Sequence, residues 1–217
     1  MMQATRLLPL LAALGAAWQP SKARAADEDT QLWIYAVAVT DLDDDTRLTL
    51  DASARWREER RGDEQQTFRF NLEQEVSDSV RIGGGLAAFD AGGFTEIRPH
   101  QELTFTTGRV ALRTRIEERF FDGADRVEFR FRQRVRYTLP LSEKLDARFD
   151  GEYFNLVQTQ FRRPGIARDQ VRGRVELGWK AAKNLRLSLA YLAIYTPTQN
   201  APDPLNHVPQ TTLTYRF

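Results

Sequence analysis

Apolar and polar residues alternate at every second position along most of this chain, a period typical of β-strands rather than helices. The segment Val127–Leu139 shows the alternation most clearly, because Val, Phe, Tyr and Leu alternate there with charged and polar residues. No amphipathic helix is predicted after residue 25. The predicted strands are Gln31–Thr40, Thr46–Arg57, Thr67–Val76, Val80–Ala88, Ile97–Thr107, Arg109–Phe120, Val127–Leu139, Leu145–Leu156, Asp169–Trp179, Leu185–Tyr195 and Val208–Phe217. The sequence therefore predicts an all-β protein.

The connections between these strands alternate in length. Short turns, such as SDS at 77–79 and TTG at 106–108, alternate with longer loops that contain Gly, Pro and Asp. Consecutive hairpins with short turns on one rim and long loops on the other are typical of outer-membrane barrels. We predict an antiparallel up-and-down transmembrane β-barrel of about 10–12 strands, formed by residues 26–217. The eleven strands counted here conflict with the even number that bacterial single-chain barrels use, so the closure of the barrel is left open.

The alternation alone does not say which face of each strand is inside, because a soluble barrel and a membrane barrel share the period. Arg130, Arg132, Arg134 and Arg136 occupy one face of one strand. In contact with lipid each would cost about 2–4 kcal/mol near the bilayer midplane, so in a membrane they must face the lumen. Aromatic residues near predicted strand ends favour the membrane, because such rings prefer its two interfaces. They are Trp33, Tyr35, Trp56, Tyr137, Tyr153, Trp179, Tyr195, Tyr215 and Phe217.

The first 25 residues have the pattern of a secretory signal peptide. Arg6 precedes a short apolar run, Leu7–Trp18, and Ala23 and Ala25 have the spacing of a cleavage site. The run is too short to span a bilayer as a helix. We predict cleavage after Ala25 and export to the outer membrane of a Gram-negative cell. The remaining chain is close to neutral, which argues against a nucleic-acid partner, and it has no cysteine.

The chain finishes on the sequence TTLTYRF, with Leu213, Tyr215 and Phe217 at alternating positions. This pattern resembles the C-terminal signature of bacterial outer-membrane barrels, which implies recognition by the barrel assembly machinery. We expect these three side chains to face outer-membrane lipid.

Three segments together resemble one family. Gln31–Trp33 begins the first predicted strand, Arg115–Tyr137 covers two charged strands, and Asn206–Phe217 closes the chain. These segments are similar to the bacterial barrel family of domain of unknown function 2490. The resemblance covers most of the chain after the leader, and it implies an outer-membrane barrel with no established activity.

Charged residues dominate the predicted lumen face of three neighbouring strands. This charge ladder consists of Arg113, Arg115, Glu117, Arg119, Arg130, Arg132, Arg134, Arg136, Arg148, Asp150 and Glu152. Opposite charges on neighbouring strands form pairs across a sheet, which predicts a lumen that is filled or very narrow. The alternative is a porin-like channel whose arginine track passes anions or other small solutes.

An outer-membrane enzyme that acts on lipid at the outer rim is a further alternative. His100 and Glu102 share a strand face near a long loop, where histidine would be a base and glutamate its orienting carboxylate. No Gly-x-Ser-x-Gly elbow accompanies them, so we predict no catalytic residue. We also predict no metal site and no cofactor, because the acidic run at 41–45 lacks the ligand spacing of a calcium loop.

Overall fold

The structure is a computed structural model that describes residues 27–58, 64–91, 93, 95–160, 170–198 and 202–217. The predicted leader, residues 1–25, lies outside these residues. Within them no helix is long and apolar enough to cross a membrane. The strands are β1 (Asp27–Thr30), β2 (Leu32–Asp41), β3 (Thr46–Trp56), β4 (Gln65–Ser77), β5 (Val80–Asp90), β6 (Thr95–Thr107), β7 (Val110–Phe121), β8 (Glu128–Pro140), β9 (Leu145–Gln158), β10 (Gln170–Ala182), β11 (Leu185–Tyr195) and β12 (Pro204–Arg216). The all-β prediction is confirmed.

Strands β2 to β12 follow one another around a closed barrel, and each consecutive pair is antiparallel. The barrel closes through a parallel pairing of β12 with β2, in which Gln210 is opposite Trp33 and Arg216 is opposite Val39. An odd number of alternating strands makes the first and last run in the same direction. The up-and-down prediction is therefore confirmed, and the conflict over strand number is resolved by this parallel seam.

Strand β1 was not predicted. It precedes β2 in line with it and pairs with the same neighbouring strand, β12. Thr30 is opposite His207 with the same register offset that relates Trp33 to Gln210. Between the two strands, the backbone N–H of Gln31 donates to the carbonyl oxygen of His207 at 2.9 Å. Residues 27–41 are therefore one extended segment with a local interruption at Gln31.

Connections on one rim of the barrel are mostly shorter than those on the other, as the sequence predicts, although 91–94 is no longer than 42–45 or 141–144. The short-turn rim has the connections 42–45, 78–79, 108–109, 141–144 and 183–184. The long-loop rim has the connections 57–64, 91–94, 122–127, 159–169 and 196–203. The tight turn after β6 depends on Gly108, whose φ of 55° favours glycine. Because β2 is parallel to β12, the start of β1 lies at the long-loop rim.

The outer wall of the barrel is apolar. Phe68, Leu86, Val135 and Leu189 are examples, and Leu189 is 58% exposed. Large apolar side chains project outward from every strand from β2 to β12, and together they far exceed the apolar patch that a water-soluble monomer exposes. Such a surface is stable when it contacts lipid, so the face assignment made from the arginine positions is confirmed.

The aromatic prediction is wrong for two residues. Trp33 is buried inside the barrel, and Tyr35 packs against the small apolar cluster that Trp33 forms with Leu192, Ile194 and Val208. Both rings belong to the inward face of β2, because the residues between them, such as Ile34, face outward. The remaining predicted rings lie on the outer surface. Position near a strand end does not determine orientation, since neighbouring residues alternate between faces.

Candidate functional site

The lumen holds the charge ladder on the inward faces of β7, β8 and β9. Across the β7–β8 pair, Glu117 is opposite Arg130, but Arg115 is opposite Arg132 and Arg113 is opposite Arg134. Like charges directly opposite one another destabilise a sheet, so these arginines need carboxylates from a neighbouring position. The structure brings all the predicted ladder residues into one interior, where glutamates lie between the arginines.

Glu117 is the centre of this network and is only 1% exposed. It accepts a hydrogen bond from Arg130 Nε at 2.7 Å and another from Arg132 Nη1 at 2.5 Å. Arg98 and Arg115 lie at 4.0 Å and 3.9 Å from its carboxylate oxygens. A buried carboxylate is stable only when it is paired and hydrogen-bonded, and Glu117 meets that condition from several strands.

Glu152 and Asp150 continue the pairing along β9. Glu152 accepts from Arg113 and from Arg132, both at 2.8 Å, so Arg132 joins Glu117 to Glu152. Asp150 accepts from Arg136 at 2.6 Å. Arg134 is the weakly paired member of the ladder, with only a 3.9 Å contact to Asp150.

The remaining ladder residues pair with acidic side chains that were not among the predicted ladder residues. Arg119 donates to Glu96 at 2.6 Å and also pairs with Glu128. Arg148 lies 3.1 Å from Asp146 and 3.3 Å from Glu176. All these acids occupy inward positions of their strands. The alternation that identified the ladder would have found them if it had been applied to every strand.

The structure does not place His100 and Glu102 at the outer rim, where the enzyme alternative requires them. His100 is buried in the barrel wall, and its Nε2 lies 2.9 Å from Asn71 Oδ1. Glu102 accepts from Asn71 at 3.1 Å and from Arg115 at 2.6 Å, so its carboxylate pairs with an arginine and does not orient the histidine. The prediction of a rim position is therefore wrong.

The described residues line two open cavities inside the charged lumen. The larger one measures about 750 Å³ and faces residues of β2 through β12, with arginine the most frequent side chain in its lining. The smaller one measures about 650 Å³ and lies toward the short-turn rim, between β8 and β12. Arg174 and Thr212 face both cavities. The lumen is therefore partly filled, and the two cavities adjoin where these two residues lie.

Arg174 is held between the two cavities by several partners. Its guanidinium lies 3.1 Å from Asp150 and 2.8 Å from Glu176, and it donates to Gln210 at 3.5 Å. These partners come from β9, β10 and β12, so the side chain joins its own strand, the neighbouring β9 and the more distant β12 between the two cavities.

Aromatic rings support several arginines of the larger cavity. The guanidinium carbon of Arg98 lies 3.9 Å from the ring centre of Phe89, and that of Arg132 lies 4.3 Å from the ring centre of Phe154. Cation–π contacts of this kind hold the planar guanidinium over the ring face. The rings therefore fix the arginine planes that line the cavity.

The residues of the predicted assembly signal face outward on β12 and beyond it. Leu213 and Tyr215 are both 46% exposed and Phe217 is 66% exposed. The rings of Tyr215 and Phe217 are stacked, with centroids 6.3 Å apart, at the short-turn rim. They are placed as an interfacial aromatic pair would be.

The acidic run at 41–45 forms a turn at the short-turn rim. Asp43 accepts hydrogen bonds from the backbone N–H groups of Asp45 and Thr46, at 3.0 Å and 2.7 Å. A hydrogen bond from the Thr46 side chain, with these backbone bonds, holds the pKa of Asp43 below its usual value. In the described part of the chain, no cluster of His, Cys, Asp and Glu has the arrangement of a metal site.

Solved structures share this barrel architecture. The NanC porin aligns with a TM-score of 0.56 at 9% identity, covering 82% of this chain and 94% of its own. The KdgM porin in complex with disordered oligogalacturonate aligns with a TM-score of 0.49 at 12% identity, covering 73% and 81% respectively. At 9% identity the likeness to the NanC porin shows the fold alone.

Sequence comparison identifies the family. No curated protein matches the chain. The family model described as "Protein of unknown function (DUF2490)" matches residues 30–205, which is most of the chain and includes the ladder strands. The resemblance noted from Gln31–Trp33 and Arg115–Tyr137 is therefore confirmed, and the chain belongs to the DUF2490 family.

Proposed function

We propose that this protein resides in the bacterial outer membrane as a narrow, anion-selective passage. The observation that carries the proposal is the lumen itself, in which arginines line two open cavities that meet at Arg174. The location is supported by the lipid-facing wall, by the outward aromatic rings and by the leader pattern of residues 1–25. The porin fold agrees with this role, but fold alone does not assign a function.

The charge of the lining favours anions. Arginines outnumber carboxylates in the larger cavity, where the acidic side chains are Asp51, Glu96, Asp150 and Glu152. In the smaller cavity, Lys180, Lys183 and Arg216 add positive charge near the short-turn rim. An excess of fixed positive charge along a low-dielectric passage raises the local concentration of anions and excludes cations.

The ion-pair network makes this passage narrow. On the side of β6 to β9, arginine side chains pair with Glu102, Glu117 and Glu152 of adjacent strands, and Arg113 of β7 reaches past β8 to Glu152 of β9. These side chains occupy the space beside the wall there. The prediction of a very narrow lumen and the alternative of anion passage are therefore compatible. Small anions would pass beside the paired arginines and leave past Arg174, whose side chain would form the constriction between the two cavities.

Planar-bilayer recordings of the refolded protein test the proposal. We expect a small conductance, with a reversal potential under a KCl gradient that shows chloride selectivity. The absence of any current from folded protein, or selectivity for potassium, would refute the passage. Folded protein is identified by its shifted migration on SDS gels without heating.

The location has a separate test. The protein should fractionate with outer membranes after removal of the leader at Ala25. Recovery of a detergent-free, water-soluble periplasmic monomer would contradict the membrane assignment, whatever the bilayer recordings show.

A further inference from the structure

Two arginines of the larger cavity differ from the ladder arginines. Arg55 on β3 and Arg172 on β10 both face the larger cavity, and neither has a carboxylate at salt-bridge distance among the described residues. By contrast, Arg132 pairs with both Glu117 and Glu152. The positive charges of Arg55 and Arg172 are therefore uncompensated by a direct ion pair.

Both arginines are held by the same two kinds of contact. The guanidinium carbon of Arg55 lies 4.3 Å from the centre of the Trp33 ring, and Nη1 donates to Gln65 at 3.1 Å. Arg172 lies 4.2 Å from the centre of the Phe154 ring, and its Nε donates to the Gln170 amide oxygen at 2.7 Å. A ring face and a neutral amide position a guanidinium without neutralising it.

The glutamine beside Arg172 is itself fixed. The amide nitrogen of Gln170 donates to Thr196 Oγ1 at 3.1 Å, which leaves the amide oxygen to accept from Arg172. A guanidinium has five N–H donors, and the contacts described use one at each arginine. At Arg55, the buried Nε has no hydrogen-bond partner, although buried polar atoms of native proteins are nearly always paired.

The charges of Arg132 and Arg55 repel that of Arg172, whereas Glu152, which is opposite Arg172 on β9, attracts it without a direct ion pair. Two preoriented guanidinium groups that lack a direct ion pair and line one partly enclosed space form a site for an anion, because each can donate two parallel hydrogen bonds to a planar or tetrahedral oxyanion. An anion with two negative charges would balance both groups at once.

We propose that Arg55 and Arg172 form a binding site for a small, doubly charged oxyanion of the phosphate or dicarboxylate class. This inference rests on the proposed function, because it places a specific binding site within the proposed anion passage. The site lies on the long-loop side of the Arg174 constriction, so anions entering from that rim would bind before they cross it.

The site is tested by equilibrium binding to the folded protein in detergent. Inorganic phosphate, succinate and the monovalent anion acetate are titrated at constant ionic strength by isothermal calorimetry. Intrinsic tryptophan fluorescence gives a second readout, since the Trp33 ring lies against Arg55, whereas Trp56 and Trp179 lie on the outer surface. We expect saturable binding of phosphate or succinate that is tighter than acetate binding. The comparison of phosphate with succinate identifies which class of oxyanion the site prefers.

Variants connect the binding to these two residues. Arg55→Gln and Arg172→Gln are each expected to weaken the preferred anion about tenfold or more, the loss that follows from removing one charge-assisted hydrogen-bonding group. Arg109→Gln is the matched control, because it removes one positive charge from the exposed turn at the short-turn rim. If a glutamine variant does not fold, Arg55→Lys and Arg172→Lys replace it. The expected loss of anion affinity is then smaller, because lysine keeps the positive charge but lacks the planar guanidinium that donates two parallel hydrogen bonds.

The outcomes separate this site from the passage. Anion binding without bilayer current would refute the passage and support the site. Current without saturable anion binding in the wild type, or equal affinity in the wild type and in the Arg55→Gln Arg172→Gln double variant, would overturn the site.

Discussion

Gly85 of β5 and the ring of His100 on β6 are packed so closely that a side chain at position 85 has no room. A Cβ atom built on Gly85 would lie 2.9 Å from His100 Cε1 and 2.1 Å from the carbonyl oxygen of Phe70. The imidazole in turn is held by Asn71 at 2.9 Å. The histidine that the sequence offered as a possible base therefore packs as part of the barrel wall.

Gly85→Ala should lower the stability of the barrel, because the methyl group collides with the backbone of β4 as well as with His100. Overpacking of this kind costs about 1–3 kcal/mol of unfolding free energy. Gly173→Ala is the matched control, since a Cβ there meets nothing within 4 Å. Urea titrations of the refolded variants would measure both. Equal stability of the two variants would show that the close approach at Gly85 is absent.

Arg132→Ala and Arg134→Ala should differ in stability, although the two residues are neighbours on the same strand face. Arg132 joins Glu117 to Glu152, whereas Arg134 makes one contact of 3.9 Å. Loss of Arg132 should cost about 1.5–3 kcal/mol, the range for hydrogen bonds to charged groups, because each glutamate keeps another arginine. Loss of Arg134 should cost less than about 1 kcal/mol. Thermal unfolding, followed by gel mobility, gives the comparison.

The same two variants test the selectivity of the lumen. Each removes one fixed positive charge, so reversal potentials under a salt gradient should shift toward cations for any variant that folds. A folded variant with unchanged selectivity would show that the ladder only fills the barrel, as the filled-lumen interpretation holds.

Arg174→Ser should raise the single-channel conductance, because Arg174 is the long side chain that faces both cavities. The fold should persist, since Asp150 keeps Arg136 and Glu176 keeps Arg148 and Arg186. Lys180→Ser is the control, because it removes the same charge at a residue that faces only the smaller cavity. If both variants conduct like the wild type, the constriction lies elsewhere.

Deletion of Phe217 should reduce the amount of folded barrel in cells more than it reduces folding in detergent. Its backbone N–H donates to the Val39 carbonyl at 3.1 Å, and its carbonyl accepts from Thr40 Oγ1 at 3.0 Å, so it joins the seam to β2. We further propose that the outward stripe of Leu213, Tyr215 and Phe217 is recognised by the assembly machinery. Phe217→Tyr keeps the ring and the backbone bonds, so it should assemble normally. Normal assembly of the deletion variant would contradict this role.

The sequence by itself determined strands β2 to β12, their order and the orientation of most side chains, but not β1. A period of two leaves each residue only two faces, and the cost of arginine in lipid selects one of them for the whole barrel. The lumen positions of Arg130, Arg132 and Glu117 therefore follow from the alternation of residues alone. The outward positions of Leu213 and Tyr215 follow from the same rule.

The tertiary structure alone decided how the barrel closes and which charges meet. The parallel pairing of β2 with β12 joins residues far apart in sequence, and no local pattern specifies it. The partners of Arg119 and Arg148 depend on the register between strands, which sets the height at which each carboxylate lies. For the same reason, only the structure showed that Arg55 and Arg172 line the same cavity and that neither has a carboxylate at salt-bridge distance among the described residues. The lack of an ion-pair partner depends on how the interior is packed, and no local sequence pattern specifies it.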